Sequence, residues 1–135
     1  MNAKKTDPRV LLSTLWIVIL FNMIVRDLHE FLREGYLHKL TSLNISEETV
    51  LLYGFAAQIP ILMILLSRTL KNEANKWYNT IAAVIVSLGF LSTLPTADMD
   101  DIFFVIIENI LLLFILRIAW KLPKTKKITP FKNPL

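Results

Sequence analysis

At 135 residues and 54% hydrophobic, the chain has the make-up of one integral membrane domain, with no room for a second folded unit. Its net charge of +4 sits at the ends of apolar runs, which points to topology and lipid headgroups and away from nucleic acid. With no Cys there is no disulfide framework, thiolate metal site or paired-cysteine redox centre; both His lie outside the apolar runs, so no haem, metal or other cofactor is expected.

Four apolar segments follow one another, at about residues 8–28, 50–70, 77–94 and 101–121. Each is near the ~20 residues that a helix needs to cross a bilayer. The fold class they predict is all-α: a four-transmembrane-helix bundle. Asp7-Pro8 opens the first span as N-cap and first helical residue. This run is long, lacks a small-residue cleavage site and continues into Arg26-Asp27, so it reads as a retained span, not a signal peptide. Its helical pattern continues through Leu28, Phe31 and Leu32 to a break at Gly35. Tyr36, Leu37, Leu40 and Leu43 then suggest a short amphipathic piece in the outer interface.

Ser46 caps the second span, with Glu47 and Glu48 in its first turn; Pro60, mid-span, should kink it and free a carbonyl one turn earlier. A short basic connection, Ser67 to Lys76, makes the second and third spans antiparallel neighbours. Trp77, Tyr78 and Trp120 mark the inner interface. The third span ends at Pro95, and Thr96 or Asp98 caps the fourth. Asp98, Asp100 and Asp101 are too few and too local for a calcium loop and read as a solvated cap. Beyond Pro123 a Lys- and Pro-rich tail is expected to be disordered and lipid-associated. Twelve of the fifteen basic residues fall on one side of this arrangement, which makes both termini cytoplasmic.

The chemistry is expected inside the spans. Glu108 lies in the outer half of the fourth, where a carboxylate is costly unless it is paired or wet. Asn22, Gln58 and Ser87 fall at similar depth on the other three spans, and Asn109 follows Glu108 about 100° around the helix. Asn22, Arg26, His29 and Arg33 form one stripe, from which Arg26 can snorkel to Glu108. Glu108, Asn109, Asn22, Gln58, Ser87 and Arg26 are therefore the candidate binding layer. Small residues provide close approach beside it: Asn79, Ala83 and Ser87 on the third span, Gly54 on the second. The plain structural alternative is that Asn22, Gln58 and Ser87 hydrogen-bond between helices and satisfy the carbonyl freed by Pro60.

Leu11-Leu12-Ser13-Thr14-Leu15-Trp16, Phe21-Asn22-Met23, Asp27, Ile59-Pro60-Ile61, Leu66-Ser67-Arg68, Asn75-Lys76-Trp77-Tyr78-Asn79, Ile107-Glu108 and Ala119-Trp120-Lys121 together carry a resemblance. The chain resembles a family of small bacterial four-helix membrane proteins known only as a domain of unknown function. The resemblance implies the four-span fold and a bacterial plasma membrane, and it implies no activity. It maps recurring polar positions onto Asn22, Asp27, Pro60, Arg68, Asn79 and Glu108.

Three function classes fit the residues. The first is binding or transport of a proton or of a hydrophobic or cationic small molecule through Glu108. The second is an enzyme on a lipid or isoprenoid substrate with Glu108 as acid or base; no nucleophile or metal set supports it, so it ranks lower. The third is an accessory subunit packed against a larger membrane partner. Membrane lipid and a second copy of the chain are the other expected partners.

Overall fold

In the computed structural model, which describes residues 6–123, Asp7 caps α1 (Pro8–Phe31): its carboxylate accepts the Arg9 amide at 2.8 Å. The helix runs past the apolar segment and stops short of Gly35, whose φ of 78° is the left-handed conformation that glycine adopts without strain. The short α2 (Tyr36–Ser42) follows, tied to α1 by an edge-on contact between Tyr36 and Phe31, with no buried residue of its own. Ser46 then caps α3 (Glu47–Thr69), and Glu47 and Glu48 face the positive end of its dipole. A two-residue connection leads to α4 (Asn72–Thr93), a 3-10 turn over Leu94–Thr96 that contains Pro95, and α5 (Met99–Ala119). Asp98 and Asp101 close a reciprocal capping box at the start of α5.

The fold class is thus all-α, and α1, α3, α4 with its 3-10 turn, and α5 are each long and apolar enough to cross a membrane. The element bounds differ from the sequence reading mainly at α4, which begins at Asn72, five residues before the apolar run. Asn72 and Asn75 are recruited into the helix because both make tertiary hydrogen bonds there. The expected basic tail beyond Pro123, and Lys4 and Lys5, lie outside the described residues.

The four long helices form a ring: α1 packs on α3 and α5, and α4 packs on the same two, so α1 stands opposite α4. Hydrogen bonds fix which ends meet. Arg9 donates to Asn72 Oδ1, Asn72 donates to the Pro123 carbonyl at 2.8 Å, and Arg68 donates to Ser13 Oγ at 3.2 Å. One end of the bundle therefore gathers the starts of α1 and α4 and the ends of α3 and α5. Arg33 pairs with Asp98 and Asp100 at the other. The core between is apolar: Leu12, Trp16, Ile19, Met63, Ala83, Leu112 and Ile115 are nearly or wholly inaccessible.

Candidate functional site

Helix α1 carries Asn22 nine residues before its end, and α5 carries Glu108 nine residues after its start. Because the two helices are antiparallel neighbours, both side chains arrive at the same level, ~13 Å from the acidic end. Asn22 Nδ2 donates to Glu108 Oε1 at 3.3 Å, and Arg26 Nη1 donates to Oε2 at 3.1 Å. The Glu108 side chain is completely buried; that of Arg26 is 17% exposed, so the guanidinium reaches down from near the helix end. Its other side lies over the ring of Phe90 on α4, 5.3 Å from the centroid. The carboxyl group is thus paired and hydrogen-bonded, as a titratable group in an apolar bundle must be.

The stripe continues outward along α1. His29 Nε2 lies 3.5 Å from Asp100, and Arg33 binds Asp100 through both carboxylate oxygens, at 2.8 and 2.9 Å, as well as Asp98. The acidic residues at the start of α5, read from sequence as a solvated cap, are held by His29 of α1 and by Arg33 just beyond its end.

The remaining expected members of the layer go elsewhere. Ser87 donates to Asn109 Oδ1, and this pair lines a separate groove of about 210 Å³ between α4 and α5, with Ala83 and Leu112 among its walls. The 100° step from Glu108 to Asn109 turns the amide out of the α1–α5 contact and onto the α4 side. Gln58 is a correction: it is exposed, and its side chain makes no hydrogen bond among the described residues. Pro60, Met63 and Ser67 are the buried residues of α3, and Gln58 lies two residues, or about 200°, away from Pro60. The helix continues unbroken through Pro60, and neither Asn22, Gln58 nor Ser87 donates to the Ala56 carbonyl one turn before it. One expected layer is therefore three separate places, of which only Glu108, Asn22 and Arg26 form an interior cluster.

A second polar group, closer to the basic end, was not anticipated as such. Asn79 on α4 uses its whole amide: Oδ1 accepts from Trp16 Nε1 at 2.7 Å and from Ser67 Oγ at 3.3 Å. Its Nδ2 donates to the Asn75 carbonyl and to Asn75 Oδ1. Asn75 Nδ2 in turn donates to the Ser67 carbonyl at 2.6 Å, and Ser13 Oγ donates to the Ile64 carbonyl at 2.8 Å. These residues are wholly buried, and no buried side-chain polar atom among the described residues lacks a partner. The available signal was the spacing Asn72, Asn75, Asn79, which places three amides on one helix face. Between the two polar levels, Ile19, Val86 and Leu112 fill the interior.

A family model described as a family of unknown function, DUF6326, matches residues 3–127. The chain belongs to this family. No match was found among curated proteins or among solved structures. Membership in DUF6326 agrees with the uncharacterised family that the sequence resembles, and it assigns no reaction.

Proposed function

We propose that this is an integral protein of a bacterial plasma membrane, with α1, α3, α4 and α5 spanning and both termini cytoplasmic, that binds and exchanges small hydrophobic cations at Glu108. The single observation that carries the reading is the fully buried Glu108 carboxylate, held by Arg26 and Asn22 next to the face of Phe90. A carboxylate beside an aromatic face in a dry setting is the chemistry that attracts an organic cation. Arg26 is a tethered occupant of that position. Its partial exposure and its origin near the helix end let it swing toward water and vacate both the carboxylate and the ring. The apolar layer of Ile19, Val86 and Leu112 closes the site toward the basic end, so exchange takes place from the acidic side. The class of reading is binding or transport; no nucleophile accompanies Glu108, which argues against lipid chemistry at this position.

Binding of tetraphenylphosphonium to the purified protein in detergent tests this. The wild type should bind it, Glu108→Gln should bind at least ~10-fold more weakly, and Phe90→Leu should lose several-fold, the loss of ~1 kcal/mol of cation–π attraction. Equal binding by wild type and Glu108→Gln would remove Glu108 from the site.

A further inference from the structure

The bundle covers its four long helices unequally. In the most apolar window of α3, 11% of residues are buried, against 22–28% in the other three. Every residue from Val50 to Ala56 is exposed, so these two turns of α3 have no covered face. Its free surface is nonetheless patterned. Leu51, Gly54, Gln58, Ile61 and Leu65 recur at three, four, three and four residues, the spacing of a coiled-coil seam, and all five are exposed. At the midpoint of α3, eleven residues from either end, stands Gln58, whose side chain has no hydrogen bond among the described residues.

We infer that this seam of α3 is the contact between two copies of the chain, joined by reciprocal hydrogen bonds between the two Gln58 amides. The inference rests on the membrane-spanning reading above. In the middle of a bilayer an unpaired primary amide faces hydrocarbon, where its lost hydration has no replacement. A second copy inserted in the same orientation and related by a two-fold axis along the membrane normal places its own Gln58 at the same depth, whatever that depth is. The carboxamide is both donor and acceptor, so two identical side chains satisfy each other without any further residue. A single polar position in an otherwise apolar seam also fixes register and pairing. Gly54, one turn before Gln58, supports the same partner. A Cβ built there meets nothing within 4 Å in the single chain, so glycine at this mid-helix position serves no contact within the protomer, while it lets a second backbone approach closely.

Since the natural sequence has no Cys, single cysteines report the contact directly. Leu65→Cys on the seam and Leu113→Cys on the exposed face of α5 are compared by oxidative cross-linking in carbonate-washed membranes. The expected result is a cross-linked dimer for Leu65→Cys and none for Leu113→Cys. Adding Gln58→Leu to Leu65→Cys should lower the cross-linked fraction about five-fold, Gln58→Asn should retain part of it, and Gly54→Leu should abolish it. Each changes an exposed position, and a melting temperature of the detergent-solubilised monomer no lower than that of the wild type shows that the bundle is intact. A chain that stays in the washed membrane but cross-links equally at both positions, or is indifferent to Gln58→Leu, overturns the dimer while leaving the membrane reading in place. Cross-links solely to a different protein overturn it likewise. Loss of the chain in the wash overturns both readings.

Discussion

At the scale of single residues, the two buried polar centres answer differently to mutation because they are satisfied differently. Glu108 has two partners on one neighbouring helix, and one of them, Arg26, can return to water if released. Glu108→Leu therefore removes a buried charge without stranding its strongest partner, and we expect stability within ~1 kcal/mol of wild type. Glu108→Gln should fold equally well yet bind tetraphenylphosphonium at least ~10-fold more weakly. Asn79 is the opposite case. All four of its hydrogen-bonding positions are in use, and Trp16, Ser67 and Asn75 depend on it. Asn79→Ala leaves the Trp16 indole N–H and the Ser67 hydroxyl unsatisfied in the core, and should cost ~2–4 kcal/mol, allowing ~1–3 kcal/mol for each stranded group and some relaxation. Thermal unfolding in detergent of the three variants checks the contrast. A large loss for Glu108→Leu with a small one for Asn79→Ala would reverse the roles assigned to them.

At the scale of elements, helix starts were legible because caps are local. Asp7-Pro8 and Ser46 with two acids after it satisfy the first amides of a helix from within a few residues and appear where the sequence places them, while at α5 the structure takes Asp98 over Thr96 and adds the return bond to Asp101. Glycine makes the same point with opposite signs at two positions. Gly35 has φ 78°, so Gly35→Ala puts a Cβ where the left-handed backbone disfavours it and should destabilise by ~1 kcal/mol. Gly54 is helical, and open space surrounds its missing Cβ, so Gly54→Ala should stabilise the monomer by a similar ~1 kcal/mol. Melting temperatures of both variants, measured at detergent ratios that keep the chain monomeric, should move in opposite directions. The start of α4 was less legible, since Asn72 and Asn75 carry no apolar signal and are helical because of the α1 and α3 groups and the Pro123 carbonyl that they bond.

At the scale of the whole molecule, the ring of four long helices has one basic end and one acidic end, and the two are locked by different means. At the basic end Arg9, Asn72, Arg68 and Ser13 tie helices through side chains and carbonyls; at the acidic end Arg33 and His29 clasp Asp98 and Asp100. Asn44, in the connection after α2, and Lys71, between α3 and α4, lie at opposite ends. In sealed vesicles, Asn44→Cys should react with an impermeant maleimide from the outer face alone and Lys71→Cys from the cytoplasmic face alone. Reaction of both from one side would contradict four spans.

What the sequence determined by itself is whatever depends on neighbours along the chain. The lengths of the apolar runs set the number of helices, the caps set their starts, and the short connection from Ser67 to Lys76 makes α3 and α4 antiparallel. The Glu108–Arg26–Asn22 cluster was also legible, because one residue spacing on α1 and one depth on α5 suffice when two helices lie antiparallel side by side. Only the tertiary structure decided which way each helix is turned. Rotation of α3 buries Pro60, Met63 and Ser67 and leaves Gln58 outside; rotation of α5 sends Asn109 to Ser87 and away from Glu108. Depth is additive along a helix and can be counted from the sequence. Azimuth is set by how ridges of one helix fit the next, and in a chain whose apolar residues surround α3 and α5 almost evenly, no stripe in the sequence marks the inward face.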